Sequence, residues 1–200
     1  METIRGRKSF ALDFNGLKEK LGGANHILLD LGTGDGRYVH TLANKHPDRF
    51  VIGVDSCREN LREYSQAKLP NTLFVIASAQ NLPIELDGQI NHVTINFPWG
   101  SLLESLLAGD AKLMRGLESI SRPAIYIDVR LNGGALAEAG TTLEAGAEKI
   151  RDNLFQAGWQ VENPTEMKAG VLRDFPTTWA KRLAFGKDPR AILLKGRLAG

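Results

Sequence analysis

The sequence contains one cysteine, Cys57, and no long run of apolar residues. One cysteine excludes an internal disulfide bond and any zinc site that is built from several cysteines. No apolar run approaches the roughly 20 residues that a membrane-spanning helix needs. The charged segment from Met1 to Lys8 lacks the apolar stretch that would make it a signal peptide. These absences predict a soluble, cytoplasmic protein that has no membrane partner.

The chain also lacks an overall excess of either charge, since its net charge is +2 over 200 residues. This excludes a uniformly basic protein that coats nucleic acid. The balance conceals an uneven distribution: residues 171–200 carry a net +5, residues 1–8 a net +2 and residues 9–170 a net −5. A basic C-terminal segment is typical both of a solvated surface and of a surface that binds a polyanion, and charge alone does not decide between them.

The length of 200 residues and the hydrophobic fraction of 42% are typical of one globular domain. From residue 26 onward, short apolar runs that predict strands alternate with longer segments that predict helices. This alternation indicates βαβ units, and therefore a mostly parallel sheet with helices on both faces. We predict a single α/β domain over residues 1–200 with a sheet of about seven strands.

Four segments carry more specific predictions. Residues 1–14 alternate loosely around a glycine and predict a short N-terminal hairpin. The charged stretch 57–68, which ends before a proline, predicts a helix. The glycine-rich stretch 132–146 predicts a mobile loop or a short flexible connection. Residues 163–190 predict an irregular connection between the last two strands.

A glycine-rich turn follows the first buried strand, with the sequence Asp30-Leu31-Gly32-Thr33-Gly34-Asp35-Gly36. A nicotinamide site prefers the spacing G-x-G-x-x-G, which holds a pyrophosphate at a helix N-terminus. The acid at Asp30 would repel a pyrophosphate and would pair with an ammonium group. The next strand ends at Asp55, where a carboxylate can accept both hydroxyls of a ribose. These features favour S-adenosylmethionine, a nucleoside that carries an amino acid and no phosphate, over a dinucleotide.

A polar turn, Ala77-Ser78-Ala79-Gln80-Asn81-Leu82-Pro83, follows the third strand of this series. Its small residues predict the floor of an adenine pocket, and Gln80 is placed to hydrogen-bond with polar edges of the nucleoside. The alternative is a surface turn that Pro83 closes.

Two tryptophan motifs follow later strands: Asn96-Phe97-Pro98-Trp99-Gly100, and the segment from Thr177 to Lys187 that includes Trp179. An exposed aromatic side chain on a loop restricted by proline is suited to stacking on a planar base. An aromatic side chain among cations suits a flipped nucleotide whose flanking phosphates are held by lysine and arginine. The alternative is structural, with Trp99 closing a strand end and Trp179 packing in a helix. The third tryptophan, Trp159, is predicted to lie in the core.

Together these motifs resemble one family, the aminoglycoside-resistance 16S ribosomal RNA methyltransferases of the kanamycin–apramycin type, which modify N1 of adenine 1408. The resemblance rests on the glycine motif from Asp30 to Arg37, on Phe97-Pro98-Trp99-Gly100 and on the segment from Trp179 to Gly186. It extends in order over most of the chain. It implies the Rossmann-like fold of class I S-adenosylmethionine-dependent methyltransferases. It also implies 16S rRNA in the assembled 30S subunit as substrate, S-adenosylhomocysteine as product, no metal, and a monomer.

The resemblance also assigns roles to residues. Trp99 and Trp179 would hold the flipped adenine between two aromatic faces. The residues expected to bind the cofactor are Asp30, Gly32, Thr33, Gly34, Asp55, Ala79, Gln80, Ser101 and Thr177. Those expected to contact rRNA are Lys181, Arg182, Lys187 and Arg190, within the connection 163–190. Two rivals remain open, a methyltransferase for another RNA such as one that makes 7-methylguanine in tRNA, and a small-molecule methyltransferase. A third, a non-enzymatic module that binds the donor, is disfavoured because both tryptophan motifs are intact.

Overall fold

The computed structural model describes residues 1–186 and 189–198, so that Lys187, an expected RNA contact, lies outside the described residues. The strands are β1 (Glu2–Arg5), β2 (Lys8–Ala11), β3 (Ile27–Leu31), β4 (Phe50–Asp55), β5 (Thr72–Ile76), β6 (Ile90–Asn96), β7 (Ser121–Asn132), β8 (Trp159–Val161), β9 (Thr165–Met167) and β10 (Ala191–Leu198). The helices are α1 (Phe14–Leu21), α2 (Arg37–Lys45), α3 (Gly100–Ala108), α4 (Ala111–Ser119), α5 (Gly133–Glu138), α6 (Leu143–Gln156), α7 (Ala169–Asp174) and α8 (Thr178–Ala184).

In the described residues, ten strands form one sheet in the order β2-β1-β5-β4-β3-β6-β7-β10-β8, and β9 pairs with β10 beside this path. The five central strands, β5 to β7 in that order, run parallel to their neighbours. The strand β10 runs antiparallel to β7, β8 and β9. The hairpin predicted within residues 1–14 is confirmed as β1 and β2, which extend the sheet beyond β5. The predicted α/β Rossmann-like fold is therefore confirmed, with the short strand β9 as an addition.

The two faces of the sheet are covered unequally. The helices α1, α3, α4 and α6 pack their apolar side chains on one face in the largest cluster of the core. On the other face, α2 packs over β3, β4 and β5 in a smaller cluster. Trp159 is 1% exposed within the larger cluster, which confirms the prediction that it belongs to the core. Among the described residues, the longest helix has 14 residues, and no helix combines the length and apolarity needed to cross a bilayer.

The prediction of a helix over residues 57–68 is wrong. The structure has two single 3₁₀ turns there, Asn60–Arg62 and Tyr64–Gln66. A surface helix is stabilised by an apolar stripe that recurs every three or four residues and packs on the core. This stretch has one large apolar side chain that is fully buried, Leu61, and charged side chains at five of its other eleven positions. Local charge favoured a helix, but no apolar face was present to dock it.

The prediction of a mobile loop over residues 132–146 is also wrong, because α5 and the first turn of α6 occupy it. The Asn132 side chain accepts a hydrogen bond from the backbone N–H of Ala135, which caps α5. Leu136 is fully buried, and a Cβ added at Gly146 would lie 2.5 Å from its side chain. The glycine therefore permits close packing between two helices.

The connection 163–190 is likewise more regular than predicted, with β9, α7 and α8 inside it.

Candidate functional site

The carboxyl ends of β3, β4 and β6 open onto a cavity of about 560 Å³. The order in which successive strands join the sheet reverses at β3, since β4 lies on one side of β3 and β6 lies on the other. Ligands of open α/β sheets bind in the crevice at such a switch point. The cavity is lined by all the residues expected to bind the cofactor and by both exposed tryptophans, namely Asp30, Gly32, Thr33, Gly34, Asp55, Ala79, Gln80, Trp99, Ser101, Thr177 and Trp179.

Asp30 lies at the inner end of this cavity and is 1% exposed. Its Oδ1 accepts hydrogen bonds from the hydroxyl of Thr94 at 2.8 Å and from the amide nitrogen of Asn96 at 2.7 Å. Burial raises the pKa of Asp30 to about 6, although the Thr33 hydroxyl, these two donors and the charge of Arg130 oppose the shift. A buried carboxylate without a full counter-charge is costly. Asp30 is therefore suited to bind a cationic group that enters the cavity.

Arg130, which sequence reasoning missed, orients the amide beside Asp30. Its Nη1 donates to Oδ1 of Asn96 at 3.0 Å, and its Nη2 donates to Oδ2 of Asp128 at 2.9 Å. Because the amide oxygen of Asn96 accepts from Arg130, its nitrogen is left to donate to Asp30. The only signal in the sequence was that Arg130 directly follows the predicted end of a strand at residue 129. Cations at strand ends are also common on protein surfaces that have no function.

The glycine-rich loop and Asp55 hold each other in place. The backbone N–H of Gly34 donates to Oδ2 of Asp55 at 2.9 Å, and that of Cys57 donates to Oδ1 at 2.8 Å. Gly32 has a φ of +72°, and a Cβ there would lie 2.7 Å from the side chain of Leu102. The buried hydroxyl of Thr33 makes no hydrogen bond of normal geometry within the described part of the chain, although it lies near enough to Asp30 to lower the pKa of that carboxyl. The loop thus offers an unpaired polar atom and an open backbone surface to a ligand.

Gln80 ties the opposite wall of the cavity to α3. Its amide nitrogen donates to the hydroxyl of Ser105 at 2.7 Å and to the backbone oxygen of Ser101 at 3.3 Å. Its oxygen accepts from the hydroxyl of Ser78. The structure therefore places Gln80 at the cavity, as expected, but with its amide engaged by the protein. Its predicted contact with a nucleoside stays a prediction.

A strained bend presents Trp99 at the mouth of the cavity. Phe97 has a φ of +54°, in the left-handed region that costs a non-glycine residue about 1–2 kcal/mol. The ring of Phe97 is 3% exposed, and its backbone N–H donates to the oxygen of Arg130 at 2.8 Å, so that packing and hydrogen bonding stabilise the bend. Trp99, two residues later, is 41% exposed. Strained backbone of this kind is concentrated at functional sites.

The helix α8 brings Trp179 to the same place. The side chain of Thr177 caps α8 by accepting from the N–H of Ala180 at 3.0 Å, and the hydroxyl of Thr178 donates to Asp35 of the glycine-rich loop at 3.0 Å. Trp179 is 43% exposed and stacks directly on Trp99, with ring centroids 5.3 Å apart and planes 17° from parallel. The fold therefore joins two motifs that lie 80 residues apart in the sequence. Asp35 and Thr178 are contacts that the sequence motifs alone did not reveal.

The cations expected to contact RNA are placed differently from one another. Lys181 and Arg182 are exposed on α8, and the guanidinium of Arg182 lies 5.3 Å from the ring centroid of Trp179. Arg190 is also exposed, and its Nη1 donates to Glu144 at the start of α6 at 3.0 Å. Lys181 and Arg182 thus adjoin the tryptophan pair, whereas Arg190 contacts an acid on another helix.

Comparison with known proteins gives a consistent result over the whole chain. The family model for 16S rRNA (adenine(1408)-N(1))-methyltransferases matches residues 2–198. A protein of that name from Escherichia coli is 30% identical over an alignment that covers 100% of this chain and 99% of the relative. By contrast, a tRNA (guanine-N(7)-)-methyltransferase from Brevibacillus brevis is 36% identical over only 41% of this chain.

Two solved structures are similar over essentially the full chain. The 16S rRNA methyltransferase KamB superimposes with a TM-score of 0.89 at 26% identity and covers 100% of both chains. A mutant 16S rRNA (adenine(1408)-N(1))-methyltransferase from Catenulisporales acidiphilia, crystallised with its cosubstrate SAM, has a TM-score of 0.87 at 25% identity. That alignment covers 100% of this chain and 97% of the other.

Proposed function

This chain belongs to the family of 16S rRNA (adenine(1408)-N(1))-methyltransferases, and from that premise we propose how its residues hold the methyl donor and the target base. The protein is an S-adenosylmethionine-dependent enzyme that methylates N1 of adenine 1408 in 16S rRNA and confers aminoglycoside resistance. The observation that carries the proposal is the pair of exposed tryptophans at the mouth of a cavity with a buried carboxylate at its inner end.

The donor cavity fits S-adenosylmethionine through its polar groups. The carboxylate of Asp30 would bind the ammonium of the methionine part, and Asp55 would accept hydrogen bonds from the ribose hydroxyls. The unpaired hydroxyl of Thr33 and the open backbone at Gly34 lie between these two carboxylates in the sequence, on the loop that lines the cavity. Ala79 and Gln80 would border the adenine of the donor. When bound, S-adenosylmethionine would supply a methyl group on a sulfonium. The lone pair of adenine N1 would form a bond to the methyl carbon while the bond from that carbon to sulfur breaks and S-adenosylhomocysteine leaves, without a metal or a general base.

The two tryptophans position the target adenine. A base held between two aromatic rings needs about 3.5 Å on each side, or roughly 7 Å between the ring planes. The observed stack of Trp99 on Trp179 leaves no such gap, so the rings must part when the flipped adenine enters. Their separation exposes two aromatic faces to one base, which holds N1 in line with the methyl group. Correct placement of the two reacting atoms is the main contribution, because N1 is already a competent nucleophile.

The same rings stabilise the product. Methylation at N1 makes the adenine cationic, and the face of an indole ring attracts a cation within about 6 Å. Lys181 and Arg182 lie beside the stack and would bind the phosphates next to the flipped nucleotide, as would Lys187 and Arg190 farther along the connection 163–190. We take the assembled 30S subunit as the substrate and a monomer as the active form.

The direct test is methylation of purified 30S subunits and of free tRNA by the recombinant protein, followed by primer extension across the decoding site. We expect a stop at adenine 1408 in 30S subunits and none in tRNA, and resistance to kanamycin and apramycin in cells that express the protein. Naked 16S rRNA serves as a third substrate, because equal methylation of naked RNA would contradict recognition of the assembled subunit. Methylation of guanine in tRNA, with no stop at adenine 1408, would refute the proposed function.

Binding of S-adenosylmethionine should weaken in acid because of Asp30. Its pKa is raised to about 6 by burial, so the carboxylate is ionised at pH 7 and becomes protonated below pH 6. Since only the ionised form pairs with an ammonium, the dissociation constant should rise by up to roughly tenfold per pH unit below pH 6. Isothermal titration calorimetry between pH 8 and pH 5 measures this. A flat profile over that range would contradict the assignment of Asp30, whereas Asp55→Asn should retain the inflection.

A further inference from the structure

One face of the sheet is covered by α2 over β3, β4 and β5, and by α7 and α8 at the ends of β7 and β10 that lie nearest the cavity. The other ends of β6, β7 and β10 are bare on this face. The strand register places His92 of β6, Tyr126 of β7 and Arg197 of β10 side by side in one row across this face. Asp128 and Lys195 lie opposite each other in the next row, which is closer to the cavity at the carboxyl ends of the parallel strands. Tyr126 is 54% exposed, and both Lys195 and Arg197 are exposed.

The bare face departs from the usual pattern of parallel sheets, which are covered on both faces. Along β7, Ile125, Ile127 and Val129 are each at most 1% exposed and pack on the covered face. The residues between them are polar or aromatic and point to the opposite face, as the period of two dictates. The sequence of β7 therefore encodes one buried face and one face that contacts solvent or a partner.

The part of this face that β6, β7 and β10 form carries more cations than acids, and the exposed Glu162 lies across from Lys195 at its border, just beyond β8. On β6, β7 and β10, the single acid on the bare face is Asp128, and Arg130 contacts it at 2.9 Å while His92 lies 3.6 Å away. This leaves Lys195 and Arg197 without an acid within salt-bridge distance among the described residues. The face thus presents two cations to a partner, which complements a polyanion.

Aromatic and cationic groups are in contact at the centre of the face. The guanidinium of Arg197 lies 5.7 Å from the ring centroid of Tyr126, and the ring of His92 meets the ring of Tyr126 edge-on at 6.5 Å. An exposed aromatic ring on an open sheet with basic neighbours is the arrangement on which RNA-recognition modules stack unpaired bases. Phosphates next to a stacked base are bound by lysine and arginine.

We propose that this face is a second RNA-binding surface, on which Tyr126 stacks an unpaired nucleotide of ribosomal RNA while Lys195 and Arg197 bind its phosphates. The inference rests on the proposed function, since it takes ribosomal RNA as the partner. Tyr126 precedes Arg130 by four residues on β7, a distance of about 13 Å along the strand. The surface is therefore separate from the tryptophan pair, and it contributes to affinity for the subunit rather than to methyl transfer.

The test compares binding of wild type and variants to purified 30S subunits over a range of salt concentrations, with S-adenosylhomocysteine at saturation. Lys195→Gln combined with Arg197→Gln should weaken binding roughly five- to tenfold and reduce the slope of log affinity against log salt by roughly 1.4. Tyr126→Ala should weaken binding about tenfold, and Tyr126→Phe should bind like wild type because stacking needs the ring and not the hydroxyl. Affinity for S-adenosylmethionine and kcat at saturating 30S subunits should not change.

Matched controls come from surfaces that contact neither site. Lys18→Gln combined with Lys20→Gln removes two exposed cations from α1, and Phe155→Ala removes an exposed ring from α6. If the bare-face variants bind 30S subunits with the affinity and salt slope of these controls, the second surface is refuted, even where wild type methylates adenine 1408. If sedimentation shows that the bare face instead holds two copies of the chain together, and the variants dissociate them, the proposal is equally overturned.

Discussion

Replacement of either exposed tryptophan, by Trp99→Ala or Trp179→Ala, should lower kcat/KM for methylation of adenine 1408 by roughly 10- to 100-fold. In the proposed function each ring contributes one face to the bound base, and stacking of a base on an aromatic side chain contributes about 1–3 kcal/mol. The loss in kcat/KM should exceed the loss in affinity for 30S subunits, because a mispositioned N1 no longer lies in line with the methyl group. Primer extension under single-turnover conditions measures the rate.

The controls for these variants separate stacking from folding. Trp99→Phe and Trp179→Phe keep an aromatic face and should retain most of the activity. Both alanine variants should bind S-adenosylmethionine with wild-type affinity and unfold at nearly the wild-type temperature, because each side chain is more than 40% exposed. Normal methylation by both alanine variants would show that the stacked pair does not hold the target base.

Asp30→Asn should raise the dissociation constant for S-adenosylmethionine on the order of 100-fold. Removal of one partner from a buried pair of charges costs about 2–5 kcal/mol or more. The asparagine oxygen can still accept from Thr94 and Asn96, as Oδ1 of Asp30 does, so the local structure should persist. Its amide nitrogen, however, would present a donor to an ammonium group that needs an acceptor.

The matched control is Glu104→Gln, which removes an exposed acid from α3 near the cavity. That variant should bind the donor like wild type. Calorimetry at pH 7.5 gives both dissociation constants, and thermal unfolding monitors the fold. If Asp30→Asn binds S-adenosylmethionine as tightly as Glu104→Gln does, the carboxylate of Asp30 is not the partner of the ammonium.

The tryptophan pair illustrates how much of the site sequence reasoning could reach. Each motif could be recognised locally, since Pro98 and the glycine after Trp99 indicate a turn, and the cations after Trp179 indicate an RNA-facing segment. The stack itself could not be predicted, because it depends on a bend with a left-handed Phe97 and on the docking of α8 at Asp35. Nor could the sequence show that the two rings contact each other.

The errors in the predicted elements have a related cause. Residues 57–68 have the local charge pattern of a helix but no apolar stripe, so tertiary packing gave two 3₁₀ turns. Residues 132–146 have the glycines of a loop, yet Gly146 is needed where α6 approaches Leu136. Arg130 was missed because its function depends on Asn96, a residue 34 positions earlier. In each case the prediction used only nearby residues, whereas the observed structure depends on packing or hydrogen bonding with residues elsewhere in the chain.

The regular alternation of strands and helices determined the α/β class from the sequence alone, while the single cysteine excluded an internal disulfide bond. The glycine motif with Asp30 and Asp55 indicated the donor, because the turn and the acid at its start lie within a few residues and the second acid ends the next strand. The tertiary structure decided what depends on residues far apart in the chain: the Arg130–Asn96–Asp30 series, the closed tryptophan stack and the bare face around Tyr126. Those contacts are made between strands and helices whose packing no local pattern specifies.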